Sequence, residues 1–134
     1  MRSYSVAVAA LAIDASHKWV DNLLSHFTVP HVASDRRGVA RRIPHSALLQ
    51  LAVTRELNTG LAIGVRDALA LATELLASDS NGVSRGGHLR VTWDRGAFER
   101  ALGHRLRDAL ESAPAPRRGR PPVGTPGMQE GGAP

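Results

Sequence analysis

The chain has no cysteine, one tyrosine, two tryptophans and two phenylalanines. Without thiols there is no disulfide framework, no thiolate metal site and no cysteine nucleophile. Aromatic residues are only 4% while apolar residues reach 43%. The core must therefore be built from Ala, Val, Leu and Ile, which favours closely packed helices. Lysine is almost missing as well: of the 17 basic residues only Lys18 is not an arginine. Arginine suits phosphate and guanine contacts, although a GC-rich genome produces the same bias. Long apolar runs are absent. Arg2 followed by Val6–Ile13 has the outline of a short secretory signal, but Asp14 closes the run and no small-x-small cleavage site follows. The expectation is a cytoplasmic, nucleoid-associated protein with no membrane segment.

What is present fits one compact domain, or one small domain with an appendage. The formal net charge is +5 and is unevenly spread. Residues 1–43 carry six basic and three acidic side chains, and residues 44–112 carry eight of each. Residues 113–134 hold Arg117, Arg118 and Arg120 against Glu130. The excess thus sits in the first third and the last sixth. A polyanion-binding chain concentrates charge where it docks, because neutralising phosphates releases counterions.

Ser5 can cap a short helix over Val6–Leu11, and Ser16 offers a second N-cap after the break Ala12-Ile13-Asp14-Ala15. From there Val20, Leu23, Leu24 and Phe27 fall on one face, with His17, Lys18, Asp21, Asn22 and Ser25 opposite, and Pro30 ends the helix. Two short helices about four residues apart have the geometry of a helix-turn-helix. Residues 34–43 follow, with Arg36, Arg37, Arg41 and Arg42 around Gly38. This reads as a small hairpin with arginine on both arms, closed by Pro44. Helical period returns over 45–58 and stops at Asn58-Thr59-Gly60, where Gly60 suits the first position past a helix end. Val65–Ala77 is apolar over most of its circumference, so neighbouring helices or a partner chain should bury it. Asp79–Gly87 reads as a linker. His88–Trp93 alternates as a strand with Leu89, Val91 and Trp93 on one side, either packed or an edge for a second subunit. Asp94 caps a last helix, Arg95–Glu111. Beyond it the composition is that of a disordered Pro/Gly-rich tail.

This order of elements resembles the MerR-like winged helix-turn-helix, a group that includes excisionase-type DNA-binding proteins. The resemblance covers Ser5 to about Leu76. It rests on Ser16-His17-Lys18-Trp19-Val20-Asp21-Asn22, the segment Arg36-Arg37-Gly38-Val39-Ala40-Arg41-Arg42, and the break Leu57-Asn58-Thr59-Gly60-Leu61. It implies that the second helix enters the major groove while the wing rides on the adjacent backbone. The chain departs from the pattern in three ways. Asp14 stands where the family often has glycine in the turn, which Asp tolerates in the left-handed region. Val20-Asp21-Asn22 replaces the usual tyrosine pair, and the long dimerisation helix and effector domain are missing. In the tail, Arg118-Gly119-Arg120-Pro121, preceded by Arg117 and followed by Pro122, resembles an AT-hook core, which would lie in a narrow A·T minor groove. Four matching residues in such a tail also arise by chance.

The expected fold is mainly α. Residues 1–78 form a winged helix-turn-helix with a small wing hairpin, 79–87 a linker, 88–112 a strand-helix appendage offering an oligomerisation surface, and 113–134 a disordered basic tail. The expected partner is double-stranded DNA, with a homodimer allowed and any small-molecule effector unknown. Candidate DNA-contacting residues are Ser16, His17, Lys18, Asp21, Asn22, Arg36, Arg37, Gly38, Arg41, Arg42, Arg117, Arg118, Gly119 and Arg120. For Lys18 and the arginines phosphate contact is favoured over a merely solvated face. For His17 and Asn22 base contact and simple hydration both stay open. Trp19 reads as a residue packed between helix and wing rather than a base-stacking platform. The histidines at 17, 26, 31, 45, 88 and 104 lack close metal-ligand spacing. There is no nucleophile elbow, Gly-rich phosphate loop or His–Glu metal motif. The expectation is a transcriptional regulator that is not an enzyme and carries no metal or cofactor. The competing reading is an antitoxin-like or adaptor module using 65–77 and 88–111 as its partner surface.

Overall fold

The computed structural model describes residues 2–32 and 40–113. Its order is β1 (Ser3–Tyr4), α1 (Val6–Ala12), α2 (His17–His26), β2 (Ile43–Pro44), α3 (His45–Gly60), α4 (Val65–Ala77), β3 (Gly82–Arg85), β4 (Leu89–Thr92) and α5 (Arg95–Ser112). The protein is mainly α, with five helices and two small antiparallel two-stranded sheets among the described residues.

Ser5 and Ser16 both cap as the sequence implies. Ser5 Oγ accepts from Val8 N–H at 3.2 Å and Ser16 Oγ from Trp19 N–H at 2.9 Å, each worth about 1 kcal/mol to its helix. Between the helices Asp14 adopts φ 55°. Around it Asp14 N–H bonds to Leu11 O and Ala15 N–H to Ala10 O, the paired bonds of a Schellman termination. A residue in the left-handed region is thus what turns α1 into α2, and Asp takes that place as expected.

The segment after α2 differs from expectation where it is described. Residues 33–39, which hold Arg36, Arg37 and Gly38, lie outside the described residues, so the wing's turn does too. The returning arm at 40–42 forms no strand, and the two-residue strand that follows pairs with the N-terminus: Ser3 with Pro44 and Tyr4 with Ile43. His45 N–H continues this link by bonding to Arg2 O at 3.2 Å. Pro44 therefore sits within a pairing strand rather than closing a local hairpin. Two-residue strands carry too short a period to be read from sequence.

α3 is the central element. Its residues from Ala47 to Thr54 are all buried, including Gln50 and Thr54. The two polar side chains are satisfied: Gln50 Nε2 donates to Thr73 Oγ1 on α4 at 2.7 Å, and Thr54 Oγ1 donates to Gln50 O at 2.7 Å. Leu48 and Leu51 are fully buried, each contributing roughly 1.5–3 kcal/mol. The helix runs through Gly60, and the positive φ expected near that glycine falls two residues later, at Ala62 (φ 57°). Asn58 Nδ2 donates to Ile63 O at 2.8 Å, and Leu61 and Ile63 N–H both return to Leu57 O. Those bonds hold a non-glycine residue in a conformation it otherwise avoids.

Residues 79–87, expected as a linker, contain strand β3. β3 and β4 pair antiparallel from Gly82 with Thr92 to Arg85 with Leu89. Three residues, 86–88, join the strands; His88 N–H bonds to Arg85 O, and Gly86 (φ 60°) and Gly87 (φ 75°) supply the two positive φ values this turn needs. Arg85 forms a two-pronged ion pair with Glu74 of α4. That hydrogen bonding holds the Glu74 carboxyl below its ordinary value and lifts Arg85 above its own. Val83, Val91 and Trp93 pack on the α3–α4 core, whereas Leu89, expected on the same side, is 70% exposed at the hairpin's end.

α5 is not an appendage. Leu102, Leu106 and Ala109 belong to the same buried cluster as Ala9, Ala12, Val20 and Leu48, and Arg105 Nε donates to Ala12 O at 2.9 Å. Phe98 touches both this cluster and the one formed by Val53, Leu57, Leu71 and Leu75. The hairpin and α5 thus complete a core that the first four helices leave open. No helix among the described residues is long and apolar enough to cross a membrane.

Candidate nucleic-acid interface

α2 carries most of the candidate contacts that are described, and its surroundings divide it into strips. Val20 and Leu23 are buried, with Leu24 and Phe27 partly so. Lys18, Asn22 and Ser25 form the outward ridge and are exposed. On one flank of the ridge lie His17 and Asp21, whose Nδ1 and Oδ2 stand 3.5 Å apart. On the other flank Trp19, Asn22, Leu23, His26 and Phe27 line an open groove against Val65 and Arg66 of α4.

The structure gives several candidates other tasks. Ser16 is occupied as the α2 cap. Arg41, expected on a phosphate, has a side chain only 9% exposed. Its Nη1 donates to Asp21 O at 3.3 Å and Oδ1 at 3.2 Å, and its Nη2 to Ser25 Oγ at 3.2 Å. It fastens the chain preceding β2 onto the flank of α2. Arg42 is exposed, but its Nη2 donates to Ser3 O at 2.9 Å and its Nε to Ser3 Oγ at 3.3 Å. Asp21 in turn presents a half-exposed carboxylate already shared with Arg41. Arg117, Arg118, Gly119 and Arg120 lie outside the described residues, as do Arg36, Arg37 and Gly38.

Sequence reasoning passed over two arginines beside α2, of which Arg55 fixes its position. Arg55 of α3 donates from Nε and Nη2 to Asp14 O, at 3.2 and 3.0 Å, and its guanidinium lies 5.0 Å from the centre of the Trp19 ring. One side chain therefore holds both the inter-helix turn and the first turn of α2 against α3. Trp19 thus meets α3 through Arg55 and lines a groove with α4, while the wing expected beside it lies largely outside the described residues. Arg66, exposed at the start of α4, makes no hydrogen bond or ion pair among the described residues. Neither arginine stands in a sequence pattern that announces its place: Arg55 reaches the α1–α2 turn from α3, and Arg66 lies by α2 only because the α3–α4 turn brings α4 back beside it.

His17, His26 and His31 do not converge: among the described residues no group of three His, Asp or Glu could hold a metal ion. His26 Nδ1 stands 2.7 Å from Asn22 O, an i to i+4 contact along its own helix. No protein-family model matches the chain, and neither a curated protein nor a solved structure is significantly similar to it.

Proposed function

We propose that the protein is a sequence-specific DNA-binding protein of the MerR-like winged helix-turn-helix type, acting in transcriptional regulation. One observation carries the reading. Two short helices meet at a left-handed Asp14, and the second is pinned from behind by Arg55 so that Lys18, Asn22 and Ser25 point outward together. A rigid helix presenting a short amide, a cation and a hydroxyl suits the major groove. There Asn pairs with adenine, Ser with several bases, and Lys with guanine or a phosphate. The bonds of Arg41 to Asp21 and Ser25 support the reading, because they hold the chain just before β2 at the flank of α2.

In this reading Lys18 and Asn22 read bases or backbone, His17 sits at the rim, and Arg36, Arg37 and Arg42 ride on phosphates. Arg41 holds the wing's base to α2, and the RGR segment at 118–120 reaches an A·T minor groove. The deciding experiment maps DNA sites bound by the tagged protein across the genome, followed by titration on the recovered site and on random DNA. A recurrent motif, with an affinity that Asn22→Ala reduces on the motif but not on random DNA, supports the proposal. Equal losses on both would make Asn22 a backbone contact, and no recovered motif would refute sequence-specific binding. Motif symmetry reports whether the protein binds as a dimer.

A second reading, an adaptor module, is favoured by Leu89, 70% exposed on a hairpin whose outer edges pair with no other described strand. Such an edge can accept a strand from another chain. A stable heteromeric complex that forms without DNA, and that Leu89→Lys disrupts, would support it.

A further inference from the structure

The groove between α2 and α4 has features that DNA contact leaves unexplained. Though open on one side, it has a volume of about 440 Å³, within the size range of small-ligand sites. Its walls are Trp19, Leu23, Phe27 and Val65, and its polar groups are the Asn22 amide, the His26 imidazole and the Arg66 guanidinium. No carboxylate lines it. Arg55 over the Trp19 ring and the packing of Leu23 in the core keep two of its walls in place without a ligand. A phosphate would meet Arg66 but would leave two aromatic rings and two aliphatic side chains without use. The charge complement of this lining is an anion attached to a flat apolar body.

The geometry points to this groove as a binding site for a small organic carboxylate with a planar apolar body. The ring or chain of such a ligand lies between Trp19, Phe27 and Val65, and its carboxylate meets Arg66, with Asn22 and His26 as further hydrogen-bonding groups. Arg66 suits the role because a guanidinium can hold both carboxylate oxygens at once, and no other described group competes for it. The arginine-bearing tail of this chain does not suit the groove, since its charge has the same sign as Arg66. The site is independent of the DNA-binding reading, although Asn22 is common to both.

The test is a titration of the isotope-labelled full chain with 2-naphthoate, without DNA, read by the indole N–H signals of Trp19 and Trp93 in a two-dimensional nitrogen–proton spectrum. The Trp19 signal should move and saturate while the Trp93 signal stays. 2-Naphthamide, the neutral analogue, should bind about tenfold more weakly, the usual scale for losing a charge-assisted contact. Arg66→Ala, a surface change that leaves the core intact, should abolish that preference, and Arg66→Lys should restore part of it. An unmoved Trp19 signal at millimolar ligand overturns the proposal. So do equal affinities for acid and amide, a preference that survives Arg66→Ala, or inorganic phosphate producing the same Trp19 shift as naphthoate. Because no DNA is present, none of these results bears on whether α2 binds DNA.

Discussion

The Arg55 guanidinium lies over the ring of Trp19 while donating two hydrogen bonds to Asp14 O, so one α3 side chain registers the entire α1–α2 unit. Hydrogen bonds from a charged group are worth about 1.5–3 kcal/mol and an exposed cation–π contact about 0.5–1 kcal/mol. After allowing for partial exposure, Arg55→Ala should cost about 1–2 kcal/mol in urea unfolding. Arg55→Lys should recover little, because an ammonium cannot fork to the carbonyl and stack on the ring together. A lysine variant as stable as the parent would show that charge alone is at work there.

Removing α5 from the core should be costly. Leu102 is 1% exposed and Leu106 6%, inside the cluster that contains Ala9, Ala12 and Val20. Leu102→Ala should destabilise the whole chain by about 2–5 kcal/mol, in a single cooperative transition. A chain ending at residue 87 should fail to fold, since α1 would present an uncovered apolar face. If that truncated chain melts cooperatively at the parent temperature, α5 is an appendage after all.

The helices were legible because their signals are local. Ser5, Ser16 and Asp94 accept the capping bonds their positions imply, and Asp14 takes the left-handed turn that only a few residue types tolerate. Of the sheets only β4 was legible, through the alternation over His88–Trp93; its partner β3 and the β1–β2 pair were not. β1 and β2 are two residues each and forty positions apart, and β3 has one partly buried apolar residue, Val83, between a buried Gly82 and the exposed Ser84 and Arg85. Gly82 looked like linker composition, yet a Cβ there would stand 2.9 Å from Val91 O. The glycine marks close strand approach rather than slack. Within the candidate site, exposure of Lys18 and Asn22 followed from helical period. The tether of Arg41 to Asp21 did not, because it joins residues brought together only when β2 pairs with β1.

The Glu74–Arg85 pair predicts a small acid limb. Arg85 holds the Glu74 carboxyl below its ordinary value, so the pair's contribution is present above the unfolded carboxylate range. It is lost as pH falls through the lowered folded value. Arg85 stays charged throughout that window. Both groups are exposed, so the effect is modest and screened by salt. Glu74→Gln should remove part of the stability difference between neutral and acidic pH and leave the acid-side stability nearly unchanged. If the variant's stability follows the parent's pH dependence across the acid range, the pair does not form in solution.

The two arginines nearest β2 should behave differently on DNA, and differently from Lys18. Arg41 spends its donors on Asp21 and Ser25 and is 9% exposed, so it cannot reach a phosphate without leaving α2. Lys18 is exposed on the outward ridge, and Arg42 is exposed beside Ser3. Each phosphate contact removed should lower the slope of log affinity against log salt by about 0.9. Lys18→Ala, and to a lesser degree Arg42→Ala, should therefore flatten that slope. Arg41→Ala should leave it unchanged while lowering stability and loosening the segment that precedes β2. Asp21→Ala provides the converse: it removes a carboxylate from the face of α2 while the Arg41 bonds to the residue-21 carbonyl and Ser25 remain, so affinity for random DNA should rise. The measurement is filter binding across a salt series for all four variants, with urea unfolding alongside to separate stability from contact. If Arg41→Ala flattens the slope as much as Lys18→Ala, Arg41 leaves Asp21 when DNA arrives and is itself a phosphate contact. If Lys18→Ala leaves the slope untouched, the outward ridge of α2 does not face the DNA backbone.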